Sequence, residues 1–287
     1  MDIQFSAIFE FMLMDSVVVI IIIFQGYQGG SDWSNYFLVN FMVSLRTGFN
    51  RHMCAGSIYL HGKWILTARS CLIDNRTKEG NHMYAYPTHS RWMHNNEKEK
   101  FYTMSKSFCH PFVKNQPDVF TDIGLIKLRE SITPEFKHLG IWKISLIRED
   151  LDLGGYYDKE SVYVSGWGRT NPAEPEPQDR IRRGFFQIKH PIVCKQDPMS
   201  VDFKHPNHIC LRCKDEYVNP CYGDEGGPAL FNGYPHYRLL GIVPAIPNRC
   251  LWHTFVMNIT HFRKFIDDVI RNEPAKYECR NIREHLV

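Results

Sequence analysis

Short apolar stretches broken by polar and turn residues recur along most of the chain. FLVNFMVSL at 37–45 is strand-like. SIYL and WILTA are apolar runs separated by His61, Gly62 and Lys63, the length of a hairpin loop. SVYVSGWG at 161–168 alternates and ends on glycines. ALF and HYRLLGIV flank NGYP, a second hairpin signal, and TFVMNI at 254–259 follows. Many short strands with turn residues between them predict an all-β barrel or sandwich. No repeat at a fixed period is visible. One segment breaks the pattern. In THFRKFIDDVIRNEP, Phe262, Phe265, Ile266, Val269 and Ile270 recur at helical spacing, with Thr260 as N-cap and Pro274 as the stop. That stripe is expected to face the core. NPAEPEPQDR at 171–180 reads as an exposed loop.

The first 26 residues differ from the rest. An eight-residue apolar run, Val17 to Phe24, is too short to span a bilayer and fits the core of a signal peptide. Its flank is unusual: Asp2, Glu10 and Asp15 are acidic and no basic residue precedes the run. A start at Met12 or Met14 removes most of that flank. A buried strand or a membrane anchor is the competing reading. The expected division is a signal peptide at 1–26, a folded body at 27–272 and a polar tail at 273–287, secreted and without a stable membrane span.

Composition narrows the function classes. At 287 residues the chain can form one large domain or two modest ones. A net charge of +3 without a Lys/Arg block argues against nucleic acid. The 14 histidines are scattered, with no metal-ligand spacing. Nine cysteines in an exported chain read as disulfides plus one leftover. Asn75 and Asn258 begin glycosylation sequons, and Asn75, in a polar stretch, is the better site.

Four blocks carry a further signal. CAGSIYLHGKWILTARSC, TDIGLIKL, VSGWG and CYGDEGGPAL occur in the order of the trypsin/chymotrypsin-like serine proteases (peptidase S1), and the chain resembles that family over about 27–272. The resemblance implies two six-stranded antiparallel β-barrels, a C-terminal helix and an active site in the cleft between the barrels. It implies disulfides Cys54–Cys71, Cys194–Cys210 and Cys221–Cys250, and no cofactor. Cys109, Cys213 and Cys279 have no family partner. A Cys109–Cys279 bond pinning the tail, with Cys213 free, is the expectation; Cys213 with Cys279 is the alternative.

The catalytic positions depart from the family. Its first block ends in Ala-Ala-His-Cys, and here Ala68-Arg69-Ser70-Cys71 puts Ser70 at the general base. Asp122 is retained. Gly-Asp-Ser-Gly-Gly-Pro has become Gly223-Asp224-Glu225-Gly226-Gly227-Pro228, so Glu225 stands at the nucleophile. Without imidazole nothing at Ser70 titrates near neutrality to shuttle a proton. Without the serine there is no acyl acceptor. In the family the N–H groups corresponding to Gly223 and Glu225 form the oxyanion hole. An ionised carboxylate accepts hydrogen bonds only, so it can fill that hole.

The surroundings depart as well. Activation in the family follows cleavage after a basic residue, and none precedes Tyr27-Gln28-Gly29-Gly30. Asn219 stands at the base of the primary specificity pocket, Ile246 at one wall glycine and His253 at the other. The expectation is a secreted, non-catalytic homologue that binds extracellular proteins, active serine proteases among them, as cofactor, decoy or regulator. The alternative is a residual hydrolase, with Ser70 as nucleophile and Asp122 or Glu225 as base. A glycosidase-like pair of Asp122 and Glu225 ranks below it, and a drifting copy without a role is a third reading.

Overall fold

The computed structural model describes residues 41–46, 51–73, 84–87, 101–111, 118–132, 144–170, 173–178, 181–198, 200, 202–213, 219–233, 236–246, 250 and 254–279. The leader, the Tyr27–Gly30 stretch, Asn75, His253 and the tail beyond Cys279 lie outside them.

Two closed six-stranded barrels are stacked along the sequence. The first is built from β1 (Met42–Arg46), β2 (His52–Tyr59), β3 (Trp64–Thr67), β4 (Tyr84–Pro87), β5 (Tyr102–Cys109) and β6 (Gly124–Leu128). The second is built from β7 (Glu160–Gly166), β8 (Arg182–Ile188), β9 (His208–Cys213), β10 (Pro228–Gly233), β11 (His236–Ile242) and β12 (Thr254–Asn258). Strand order around the first is 1-2-3-6-5-4, and the second repeats it as 7-8-9-12-11-10, antiparallel throughout. The duplication is one of topology and is invisible as a sequence repeat. Closure constrains only which side of each strand is apolar, and many sequences meet that requirement. Closed barrels also leave no strand edge open for pairing with other chains.

The apolar pattern explains the packing. All eight residues of β2 are buried, because one face fills its barrel and the other meets neighbouring structure. One continuous core joins the first barrel to Trp167, Leu230, Leu239 and Met257 on the second barrel's side, so the barrels share an apolar boundary. Two short helices, α1 (Ser70–Ile73) and α2 (Pro191–Gln196), precede the terminal helix α3 (Arg263–Asn272), which buries Phe265, Ile266 and Val269 in that same core. It starts later than the stripe indicated. Phe262 is its N-cap, without a side-chain hydrogen bond, while Thr260 gives its hydroxyl to Asn258 Oδ1 at 2.7 Å. Thr260 therefore closes the turn after β12 instead of the helix. Asn258 is held at both ends, its Nδ2 donating to the Pro206 carbonyl at 3.0 Å. The helix ends on Glu273 in the left-handed region, just before Pro274.

Four disulfides brace the body: Cys54–Cys71, Cys194–Cys210, Cys221–Cys250 and Cys109–Cys279. The last joins positions 170 apart in sequence and ties the segment after α3 to β5. Phe108 and Glu278 form a bridge beside it, and Lys106 pairs with Glu278 at 3.3 Å. Cys213 remains a thiol, buried, with Sγ 3.1 Å from the Phe185 carbonyl. Among the described residues no helix is long and apolar enough to cross a membrane, and no His/Cys/Asp/Glu group could hold a metal.

Candidate functional site

The loop 221–227 lies between the barrels and is tied to both. On the first barrel, Ala55 N–H donates to the Glu225 carbonyl at 2.8 Å. On the second, Gly226 N–H donates to the Val243 carbonyl at 2.8 Å. Gly226 has φ +78°, and a Cβ there would stand 2.2 Å from Thr67 Oγ1. Only glycine allows so close a crossing of two backbones. Asp224 turns away from the cleft, and its carboxylate accepts from Gly168 N–H at 2.6 Å and Cys221 N–H at 2.9 Å. A Cβ on Gly168 would meet that carboxylate at 2.2 Å, which accounts for the glycine after Trp167. Burial pushes Asp224 up to about 6, against the pull of those two N–H groups.

Glu225 faces the cleft and folds back on its own loop. Its Oε2 accepts from Gly223 N–H at 2.6 Å. Its own backbone N–H also bonds its carboxylate. Both N–H groups that the family resemblance assigns to the oxyanion hole thus point at one carboxylate. Burial pushes Glu225 up to about 7, resisted by these two N–H groups and reinforced by the charges of Asp224 and Asp122.

Asp122 is the hub on the other side. It is 2% exposed and accepts three bonds: Ser70 N–H at 2.6 Å, Ser70 O–H at 2.9 Å and Ala245 N–H at 2.6 Å. Burial raises its pKa, and the backbone donors, the Arg69 charge and the Ser70 hydroxyl pull the other way. Arg69 itself is 1% exposed and donates to the His110 carbonyl at 3.3 Å. Sequence reading had Arg69 only as a neighbour of Ser70. A cation beside the position of a lost histidine, next to a retained aspartate, was the available signal.

His52 is a second residue that sequence reasoning missed. Its Nε2 lies 2.8 Å from the Gly223 carbonyl and its Nδ1 2.8 Å from Ser44 Oγ. A carbonyl can only accept, so Nε2 carries the proton and Nδ1 accepts from the Ser44 hydroxyl. Arg46 Nε donates to Ser44 Oγ at 3.1 Å. Burial pulls His52 down to about 4, so the ring is neutral at physiological pH. This buried chain of donors fixes Gly223 from behind, and so fixes the N–H that Glu225 holds.

Two of the three sequence-derived pocket residues are described. Asn219 lines a pocket beside Asp224, while Ile246 is not in that lining and packs, half-buried, against the second barrel's core. Chemically, the described site offers a hydroxyl on a carboxylate (Ser70 on Asp122) and a second carboxylate held by two amides. It brings Ser70 and Asp122 together. Both Asp122 oxygens are taken by Ser70 and Ala245, so the pair of Asp122 and Glu225 has no free carboxylate on the Asp122 side.

The perturbed carboxylate makes a pH prediction. A carboxyl whose pKa is raised on folding binds more protons folded than unfolded, so its contribution is lost as pH rises through the folded value. For Glu225 the window runs from about 4.5 to about 7. His52, lowered from 6.5, works in the opposite sense up to 6.5, which makes the wild-type curve alone uninformative. Glu225→Gln keeps an oxygen for Gly223 N–H and removes the charge. The variant is expected to match wild type near pH 4 and exceed it by about 1–2 kcal/mol above pH 7, after allowance for partial exposure. Urea unfolding of both proteins from pH 4 to 8 measures the difference.

Comparison with known proteins adds the lineage. The family described as Trypsin matches residues 29–266. Transmembrane protease serine 5 from Homo sapiens is 23% identical over 204 residues, covering 70% of this chain and 42% of that protein. Thrombin-like enzyme AhV_TL-I from Gloydius halys is 27% identical over 206 residues, covering 71% of this chain and 80% of that protein. The chain therefore spans less than half the length of the first relative and most of the second.

Proposed function

The chain belongs to the trypsin family, and on that premise we propose that it is a secreted member that works by binding other extracellular proteins, active serine proteases among them, and not by hydrolysis. The observation that carries this reading is the Gly223 N–H bond to Glu225 Oε2 at 2.6 Å. An oxyanion hole works because its donors wait, unpaired and pre-aimed, for charge that develops in the transition state. Donors already satisfied by a resident carboxyl group have nothing left to offer. The loss of imidazole at Ser70 removes the proton shuttle independently. Four disulfides support an extracellular setting, where such bonds persist.

The alternative, an unorthodox hydrolase, has one observation in its favour. Ser70 Oγ lies 2.9 Å from Asp122 Oδ2, within reach for proton transfer. A carboxylate remains a weak base for a hydroxyl, and Asp122 is already committed to two backbone N–H groups. The test is labelling of the secreted protein with a fluorophosphonate, alongside turnover of peptide esters. We expect neither to exceed the heat-denatured control. A label mapped to Ser70 would overturn the proposal.

A further inference from the structure

The outward face of β8 carries Arg183 and Phe185, two residues apart. Phe185 is 46% exposed, an unusual state for a phenylalanine on a barrel wall. Its cross-strand partner on β7 is Tyr163, whose ring stands edge-on at 4.7 Å. Tyr163 in turn meets Tyr237 of β11 at 5.6 Å. The three rings form a ledge, with Arg183 two residues from Phe185 along β8. Tyrosine, phenylalanine and arginine together are the composition of binding surfaces.

A pocket opens beside the ledge among Ser165, Arg169, Arg182, Arg183, Asn219 and Asp224. Ser165 pairs across the strands with Arg183, is 1% exposed, and its Oγ has no hydrogen-bond partner among the described residues. A buried hydroxyl left unpaired is costly unless something completes it. Among the described residues the lining holds three arginines and one aspartate, a net positive charge. Asp224 is already satisfied by Gly168 and Cys221 N–H. Among the described residues Arg169 and Arg182 donate to neutral oxygens, the Pro175 carbonyl and Gln178 Oε1, which do not neutralise their charges.

Resting on the reading that the chain acts by binding, we infer that this pocket and ledge dock an extended acidic segment of a partner protein. A carboxylate of the segment enters between Arg182, Arg183 and the Ser165 hydroxyl, and a neighbouring apolar side chain lies on Phe185 and Tyr163. Charge selects the partner, and the ledge sets its register.

The test uses the full secreted chain and a fluorescein-labelled peptide, Glu-Phe-Glu-Glu-Phe-Glu, read by fluorescence anisotropy. Binding in the micromolar range is expected, with none for the counterpart carrying Lys in place of Glu. Arg182→Glu with Arg183→Glu should weaken binding at least about tenfold. Phe185→Ala and Ser165→Ala should each weaken it about threefold to tenfold, and Arg271→Glu on α3 should leave it unchanged. Far-UV circular dichroism confirms that each variant folds. Equal binding of the Lys peptide, indifference to the arginine reversals, or capture of a sulfated polysaccharide but no peptide would sink the inference. So would a photo-crosslinker at position 185 joining to residues 1–40 or to a second copy of the chain, since the occupant is then its own sequence. Fluorophosphonate labelling reads the non-catalytic proposal separately, so either idea can fail while the other stands.

Discussion

Asp122→Leu is expected to cost about 3–5 kcal/mol of folding stability, enough to leave a domain of ordinary stability marginal. The leucine removes the acceptor of Ser70 N–H, Ser70 O–H and Ala245 N–H at one stroke. Each donor that stays buried and unpaired costs about 1–3 kcal/mol, less whatever water can recover. Arg69, 1% exposed, loses the charge of Asp122. Taking an opposite charge from beside a buried cation is the more serious defect, because its desolvation is then less well offset. The partner substitution separates the two effects. Arg69→Met in the Asp122→Leu background should recover about 1–3 kcal/mol, although Arg69→Met alone destabilises. Urea unfolding of the four proteins closes the cycle. Additive costs would show that Arg69 and Asp122 do not compensate each other. The aspartate is then simply a hydrogen-bond hub. Coupled costs would show that a catalytic carboxylate has become half of a structural ion pair.

The surroundings of Asp122 mark the limit of what the sequence showed. Alternation and turn residues were enough for the strands, because a barrel wall demands one apolar side from each strand and little else. The blocks around Cys54, Asp122, Trp167 and Cys221 carried the family, and with it the cleft. The pairings within the cleft were not legible. His52 reaches Gly223 across 171 residues, and Ala245 reaches Asp122 across 123. Periodicity reports which face a residue occupies and never which distant group it meets. The orientation of Glu225 was open for the same reason. As a residue type it could serve as acid, base or occupant of the hole, and only the direction of Gly223 N–H decides. Helix α3 missed its expected cap because Asn258, two residues before Thr260, competes for its hydroxyl. The packing of Ile246 against the second barrel's core was likewise not legible, since no local pattern names that contact.

Ser70→His combined with Glu225→Ser is expected to react with a fluorophosphonate at least about a hundredfold faster than the wild-type chain, while each single substitution stays near the wild-type level. The reasoning is geometric. Asp122 already faces position 70 with two oxygens, so an imidazole placed there finds the acceptor that fixes its ring and tautomer. Removing the Glu225 side chain releases Gly223 N–H and the amide of residue 225, and the same substitution supplies the hydroxyl. His52, Ser44 and Arg46 are untouched, so Gly223 keeps the orientation its carbonyl bond imposes. A serine without a base is a poor nucleophile, and a histidine beneath a filled hole has no oxyanion to support. The two losses therefore act as a unit, and their repair should be strongly non-additive. Peptide hydrolysis should recover less than labelling does. The small phosphonate needs only nucleophile, base and hole, whereas a peptide must also seat a side chain in a specificity pocket. Labelling rates for the four proteins, with fold checked by circular dichroism, decide the matter. If the folded double variant labels no faster than wild type, the defect lies deeper than Ser70 and Glu225, in the activation or the shape of the cleft.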